Sequence, residues 1–217
     1  MTAAVESVPP SWRREPLTTI SDEELYTGLH AFVFIKEVDP GRSIADVVDD
    51  IADPERFSSD NGRVLFASVA VGSYIGFAHV RADDGDLAGL QRFIYQDLWA
   101  KGVGCEHAVE GPVYSTMGAN ALPKGPKRKS PPFCALVRVR TDDDPVAVMR
   151  EIARRFDDTD PFQGASVTFG RADLLVELAG DTLDAVSEPV LSVIREAPGV
   201  IWTDTAFVYS GPWRTPS

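Results

Sequence analysis

The stretch Phe32-Val33-Phe34-Ile35-Lys36-Glu37-Val38-Asp39-Pro40-Gly41 decides the fold, because the pattern it opens returns about a hundred residues later. The apolar run to Val38 reads as a strand and Asp39-Pro40-Gly41 as a turn. Ile44, Val47, Val48 and Ile51 then fall at the spacing of an amphipathic helix. Working outward, strands Val64 to Val71 and Ile75 to Arg81 flank a break at Gly72-Ser73-Tyr74. A helix opens at Asp86 with Leu87, Leu90, Ile94 and Leu98 on one stripe, and a strand from Val103 to Val109 completes βαββαβ.

The same order recurs from Phe133. Phe133 to Val139 is a strand, Asp144 an N-cap with Pro145 in the first helical position, and Met149, Ile152, Ala153 and Phe156 a helical stripe. Strands Ala165 to Phe169 and Leu174 to Leu178 surround Gly170-Arg171-Ala172-Asp173. A helix bearing Leu183, Val186, Val190 and Ile194 leads through Pro198-Gly199-Val200 to a last strand ending near Tyr209. Pro189 lacks an amide donor, so that helix should kink or split there. Aligned, Phe32 meets Phe133 or its neighbour, Gly72 meets Gly170, and Gly102-Val103 meets Gly199-Val200; such a period indicates duplication.

The expected organisation is an N-terminal arm (1–28), repeat 1 (29–111), a linker rich in Pro, Gly and Lys (112–131), repeat 2 (132–211) and a tail (212–217). Ser21 and Glu24 have the spacing of a capping box for a short lead-in helix, and the basic run from Lys124 to Lys129 reads as a solvated loop. A net charge of -12 opposes binding to nucleic acid and to anionic membrane. With 44% hydrophobic residues the chain can build cores, yet no apolar run approaches a membrane span. Two unpaired-looking cysteines, Cys105 and Cys134, and no secretory leader lead us to expect a cytoplasmic protein.

A four-stranded sheet with both helices on one face leaves the other face bare, and that face needs a partner. In the strand from Phe133, both sets of alternating side chains are at least partly apolar. The fold class expected is therefore α+β: two tandem ferredoxin-like βαββαβ repeats with their sheets paired as a pseudo-dimeric α/β barrel.

Gly170-Arg171-Ala172-Asp173-Leu174-Leu175-Val176-Glu177, Pro198-Gly199-Val200 and Thr203-Asp204-Thr205 resemble the ligand-binding (RAM) domain of Lrp/AsnC regulators, here without a helix-turn-helix. That pattern has Gly-x-x-Asp between the middle strands and Pro-Gly-Val before a threonine-bearing strand. The first repeat keeps the glycine in Gly72-Ser73-Tyr74-Ile75 but has Ile75 at the acidic position. The resemblance implies a dimeric α/β barrel binding a small metabolite such as an amino acid near that turn. The candidate ligand-binding residues are Gly170, Arg171, Asp173, Thr203, Thr205, Gly72, Ser73 and Tyr74. Physically, a turn glycine lets a ligand approach the backbone and Asp173 could pair with an ammonium group; equally, Asp173 could satisfy turn amides, and threonine is an ordinary strand residue.

No Walker loop, GxSxG elbow, dinucleotide fingerprint, HExxH or CxxC is present. His30, His79 and His107, with Cys105, are the candidates for a metal or haem. His79 and His107 fall on strands flanking the first one, about 9.6 Å apart, too far for one metal to bridge easily. The reading expected is thus a non-enzymatic metabolite sensor or adaptor without cofactor, binding a small metabolite, associating through its sheet faces and partnering Lrp/AsnC-type regulators. The alternative is an α/β-barrel enzyme of monooxygenase or haem type; a third option is an interaction module with decayed clefts.

Overall fold

A computed structural model describes residues 29–53, 57, 59–82, 86–104, 107–111, 113–118, 133–156 and 161–209. The lead-in helix, Cys105, the basic run and the tail lie outside them. Repeat 1 contributes β1 (Leu29–Ile35), α1 (Ile44–Ala52), β2 (Arg63–Gly72), β3 (Gly76–Ala82), α2 (Leu87–Arg92, widening into a π turn at Phe93–Asp97 and ending in Leu98–Ala100) and β4 (His107–Glu110). Then come β5 (Val113–Gly118), β6 (Phe133–Thr141), α3 (Pro145–Arg154), β7 (Phe162–Thr168), β8 (Leu174–Gly180), α4 (Leu183–Pro189, widening at Val190–Ile194) and β9 (Val200–Tyr209).

Local signals place the helices. Ser43 and Asp46 form a reciprocal capping box on α1, Asp86 caps α2 through the Ala88 and Gly89 amides, and Asp144 caps α3 ahead of Pro145. The helix carrying Pro189 does not split: it widens into the π turn, and α2 widens at the corresponding place without any proline. Among the described residues no helix is long and apolar enough to cross a membrane.

The strands form one nine-stranded sheet in the order β4-β1-β3-β2-β9-β6-β8-β7-β5. The repeats join where β2 pairs antiparallel with β9, Ala70 opposite Val208 and Gly72 opposite Ala206. At the far ends β4 pairs with β1 and β5 with β7, and only two residues separate β4 from β5. One short segment of chain therefore runs from one end of the sheet to the other and joins its two end strands covalently. This corrects the sequence expectation of a linker from residue 112: Val113–Gly118 is a strand. Its Val, Tyr, Ser, Thr and Met suit a strand, and the breakers lie on either side of it. The expected strand from Val103 likewise starts at His107, Val103 making only an isolated bridge to Val38.

The register refines the repeat. Ile35 opposes Gly76 in repeat 1 as Val139 opposes Leu174 in repeat 2, so Phe32 corresponds to Leu136 rather than Phe133, while Gly72 does correspond to Gly170. The difference matters because an odd shift exchanges the two faces of a strand. Three cores result. Ala31, Val33 and Ile35 pack under the helices of repeat 1, and Ala135, Val137 and Val139 under those of repeat 2. Between the inner faces lie Phe32, Phe34, Phe66 and Phe77 against Cys134, Leu136 and Leu175.

Leu136 is fully buried in that shared interior. Leu136→Ala should cost about 2–5 kcal/mol, read from the urea midpoint, and both repeats should unfold in one shifted transition. Two transitions with only one displaced would contradict the shared core.

Candidate functional site

Two turns that sequence alignment equates, Gly72–Tyr74 and Gly170–Asp173, reach the same end of the barrel and meet around a buried arginine. Arg138 projects inward from β6 at 3% exposure and meets Glu110 of β4, which is completely buried. Its Nε donates to Glu110 Oε1 at 2.7 Å and Nη2 donates to the same oxygen. Nη1 donates to the Tyr74 hydroxyl and to Asp204 Oδ2 at 3.1 Å. The guanidinium plane also lies over Phe34, Tyr74 and Trp202, at 5.4, 5.2 and 5.6 Å from the ring centroids. The second Glu110 oxygen accepts the Ala172 amide at 2.9 Å. One ion pair thus ties β4 and β6 to both turns, inside a medium where an uncompensated charge would be costly.

The predicted site residues separate into groups. Ser73 donates to Asp204 Oδ1 at 2.8 Å, and Tyr74, 5% exposed, lies on Arg138. Gly72 has φ +139°, and a Cβ there would sit 2.7 Å from the Thr205 carbonyl oxygen. Gly170 is needed for room: its Cβ would overlap Glu110 Oε2 and stand 2.7 Å from the Val109 carbonyl oxygen. Arg171 is exposed, with its charge within reach of Tyr74. Asp173 serves the hairpin, accepting the Thr141 amide at 2.8 Å. Thr203 and Thr205 stand opposite Val139 and Val137, on the helix side of the sheet and away from the interior.

A second polar cluster occupies the repeat 1 wall. His30 Nδ1 and His79 Nε2 are hydrogen-bonded at 3.1 Å, both residues being under a tenth exposed, and the His79 ring lies 4.6 Å from that of Phe32. Burial first, and the neighbouring His30 second, push the His79 pKa down from 6.5 to about 3, so it is neutral at physiological pH. Desolvation also heads the causes that raise the Tyr74 pKa; Arg138 opposes it and Asp204 and Glu110 add to it. By register, His30 and His79 correspond to Cys134 and Glu177 of repeat 2, so this imidazole pair belongs to one half only. His107 is elsewhere, its Nδ1 3.1 Å from the Gly104 carbonyl oxygen and its ring against Tyr95.

Sequence reasoning missed Arg138, Glu110, Asp204 and the contact between His30 and His79. A usable signal existed for Arg138, a charge between Val137 and Val139 in a strand apolar on both faces. The diagonal histidine contact depends on register, since His30 pairs with Arg81 and His79 with Phe32. Among the described residues no group of three or more His, Cys, Asp or Glu side chains is placed to hold a metal ion. Nor does the His30–His79 pair fit a haem: the imidazoles face each other and Phe32 lies against the His79 ring, where an axial ligand needs a nitrogen directed into an open slot.

No known family matches the sequence, and no curated protein does. Solved structures do resemble the fold. An anthrone oxidase-like protein matches with 13% identity over 83% of this chain and 90% of its own, at a TM-score of 0.50. A protein from Shewanella oneidensis described as a dyp-type peroxidase matches with 12% identity over 91% and 96%, also at 0.50. A transcriptional regulator from Neisseria meningitidis solved with L-Met covers 56% of this chain and 67% of its own, with 15% identity and a TM-score of 0.31. The fold is thus that of the dimeric α/β barrels, with both halves in one chain. The expectation of a non-enzymatic sensor is corrected: two structures that match along most of the chain are described as oxidase-like and as a peroxidase, while the regulator matches too weakly to support it.

Arg138→Met should cost about 3–5 kcal/mol, because Glu110 would remain buried without its cation, and adding Glu110→Gln should recover most of the loss. Chemical denaturation of both variants beside the wild type checks this; a cost under about 1 kcal/mol for Arg138→Met would contradict a buried pair. The His79 pKa is depressed in the folded state, so its contribution to stability is complete above about pH 6.5 and is lost as pH falls toward 3. His79→Phe should flatten the stability profile over that window, and an unchanged slope would contradict the burial.

Proposed function

We propose that this chain is an oxidative enzyme of the α/β-barrel type, acting without haem on an apolar aromatic substrate, with the His30–His79 pair as general base. The observation that carries the reading is a pair of buried, hydrogen-bonded imidazoles, with His79 held neutral, inside a barrel lined by Phe32, Phe66 and Phe77. Neutral imidazole accepts a proton, and nothing in a structural role requires two histidines to face each other in an apolar interior. Fold likeness to the anthrone oxidase-like protein supports the class of chemistry without fixing the substrate.

The reaction proposed begins with transfer of a proton from an acidic C–H of the substrate to an imidazole nitrogen of the pair. His79 is a weak base in the resting protein, and the carbanion formed beside it supplies the opposite charge that its protonated form lacks. The electron-rich anion then reduces dioxygen: an aryl methylene becomes a carbonyl, one oxygen atom enters the product, and the other leaves as water with both hydrogens. The aromatic walls would hold a planar substrate and exclude water from the anion.

Dioxygen consumption with anthrone tests the reading. Wild-type protein should consume it above the spontaneous rate, and His79→Gln should lower kcat/KM about 100-fold or more. Wild-type protein without uptake, or a His79 variant at the wild-type rate, would contradict the assignment.

A further inference from the structure

Arginine only donates hydrogen bonds. The contact between Arg138 Nη1 and the Tyr74 oxygen therefore uses a lone pair of the phenol and leaves its hydrogen to be placed elsewhere. Among the described residues no acceptor takes that hydrogen. The Asp204 carboxylate receives Ser73 on one oxygen and Arg138 on the other. Tyr74 is 5% exposed and packs against Phe34, so bulk water does not readily satisfy it. A buried O–H left in this state is costly, and a ligand acceptor would restore the missing hydrogen bond.

We infer that the Tyr74 hydroxyl is the hydrogen-bond donor to a carbonyl or phenolic oxygen of the ligand, at the end of the barrel where the Gly72–Tyr74 and Gly170–Ala172 turns meet. Accepting from a guanidinium polarises the phenol and makes it a stronger donor in turn. The surroundings set the ligand's charge. Arg138 is already matched by Glu110 and Asp204, and the other cation within reach of Tyr74, Arg171, is exposed to solvent, so no buried cation is left to pair with a carboxylate, whereas a neutral ketone or phenol needs only the O–H. Trp202, 42% exposed and lying over the same guanidinium, provides a planar flank beside the solvent. Tyr74 is thus a binding and orienting group distinct from the histidine pair.

This inference rests on the reading of the interior as the substrate compartment, and its test separates the two. The probe is 9-fluorenone, a neutral planar ketone whose C=O stretching band reports hydrogen bonding by infrared difference spectroscopy. Wild-type protein should bind it with the band shifted down. Tyr74→Phe, which keeps the ring packing, should weaken binding about tenfold and return the band to its position in apolar solvent. Incorporation of 3-fluorotyrosine at position 74, a stronger acid and donor, should move the band further down in folded protein. His79→Gln should leave band and affinity unchanged while removing turnover of anthrone. An unshifted band, a band unaltered by either change at Tyr74, or no binding to wild-type protein would overturn the inference. If His79→Gln still abolishes turnover in that event, the proposed function stands without it; a Tyr74-dependent band with no dioxygen uptake by wild-type protein reverses that outcome.

Discussion

Each repeat builds a sheet whose helix-covered face is satisfied locally and whose other face carries large apolar side chains that water would otherwise meet. Phe32, Phe34, Phe66 and Phe77 on one wall and Leu136 and Leu175 on the other find each other across the interior, and no other element of the described chain is placed to cover them. The remaining architecture follows from that burial. β2 and β9 join the sheets along one seam, and the β4–β5 segment closes the opposite side. The two strands left at the ends of the sheet, β4 and β5, are short, and short edge strands limit the edge-to-edge pairing that leads to aggregation.

Enclosure also raises the stakes for every polar group inside. Arg138 tolerates burial because Glu110, Asp204 and Tyr74 surround it, and Glu110 because it also receives the Ala172 amide. The histidine pair satisfies one imidazole with another, and burial keeps His79 neutral. Duplication makes the asymmetry informative. At matching positions one half has Phe34, His30 and His79 and the other Arg138, Cys134 and Glu177, so the two walls of the shared interior carry different chemistry. A symmetric dimer of one repeat cannot offer that arrangement.

The fold was largely legible because helix caps and alternating runs are local signals: Asp86 and Asp144 mark helix starts, and the turns at Gly72 and Gly170 recur at matching places. The linker misled because Val113–Gly118 is short and surrounded by prolines, and only its pairing with β7 makes it a strand. The site was half legible. Ser73 and Tyr74 were visible as turn residues, but Arg138 is 64 residues from Tyr74 and Asp204 is 131 from Ser73, and no local pattern announces such pairs. Thr203 and Thr205 looked suitable for binding, yet the strand phase turns them toward the helices and gives the interior position to Asp204. Asp173 looked available, and the Thr141 amide engages it.

The central claim is that an imidazole pair inside this barrel removes a proton from an aromatic substrate before oxygen is involved. Hydrogen exchange of the anthrone methylene in deuterated buffer under strict anaerobic conditions, followed by mass spectrometry, isolates that step. Wild-type protein should accelerate deuterium incorporation well above the buffer rate, with His79→Gln returning it to that rate. Exchange at the buffer rate with wild-type protein, or acceleration that survives loss of His79, would contradict the account.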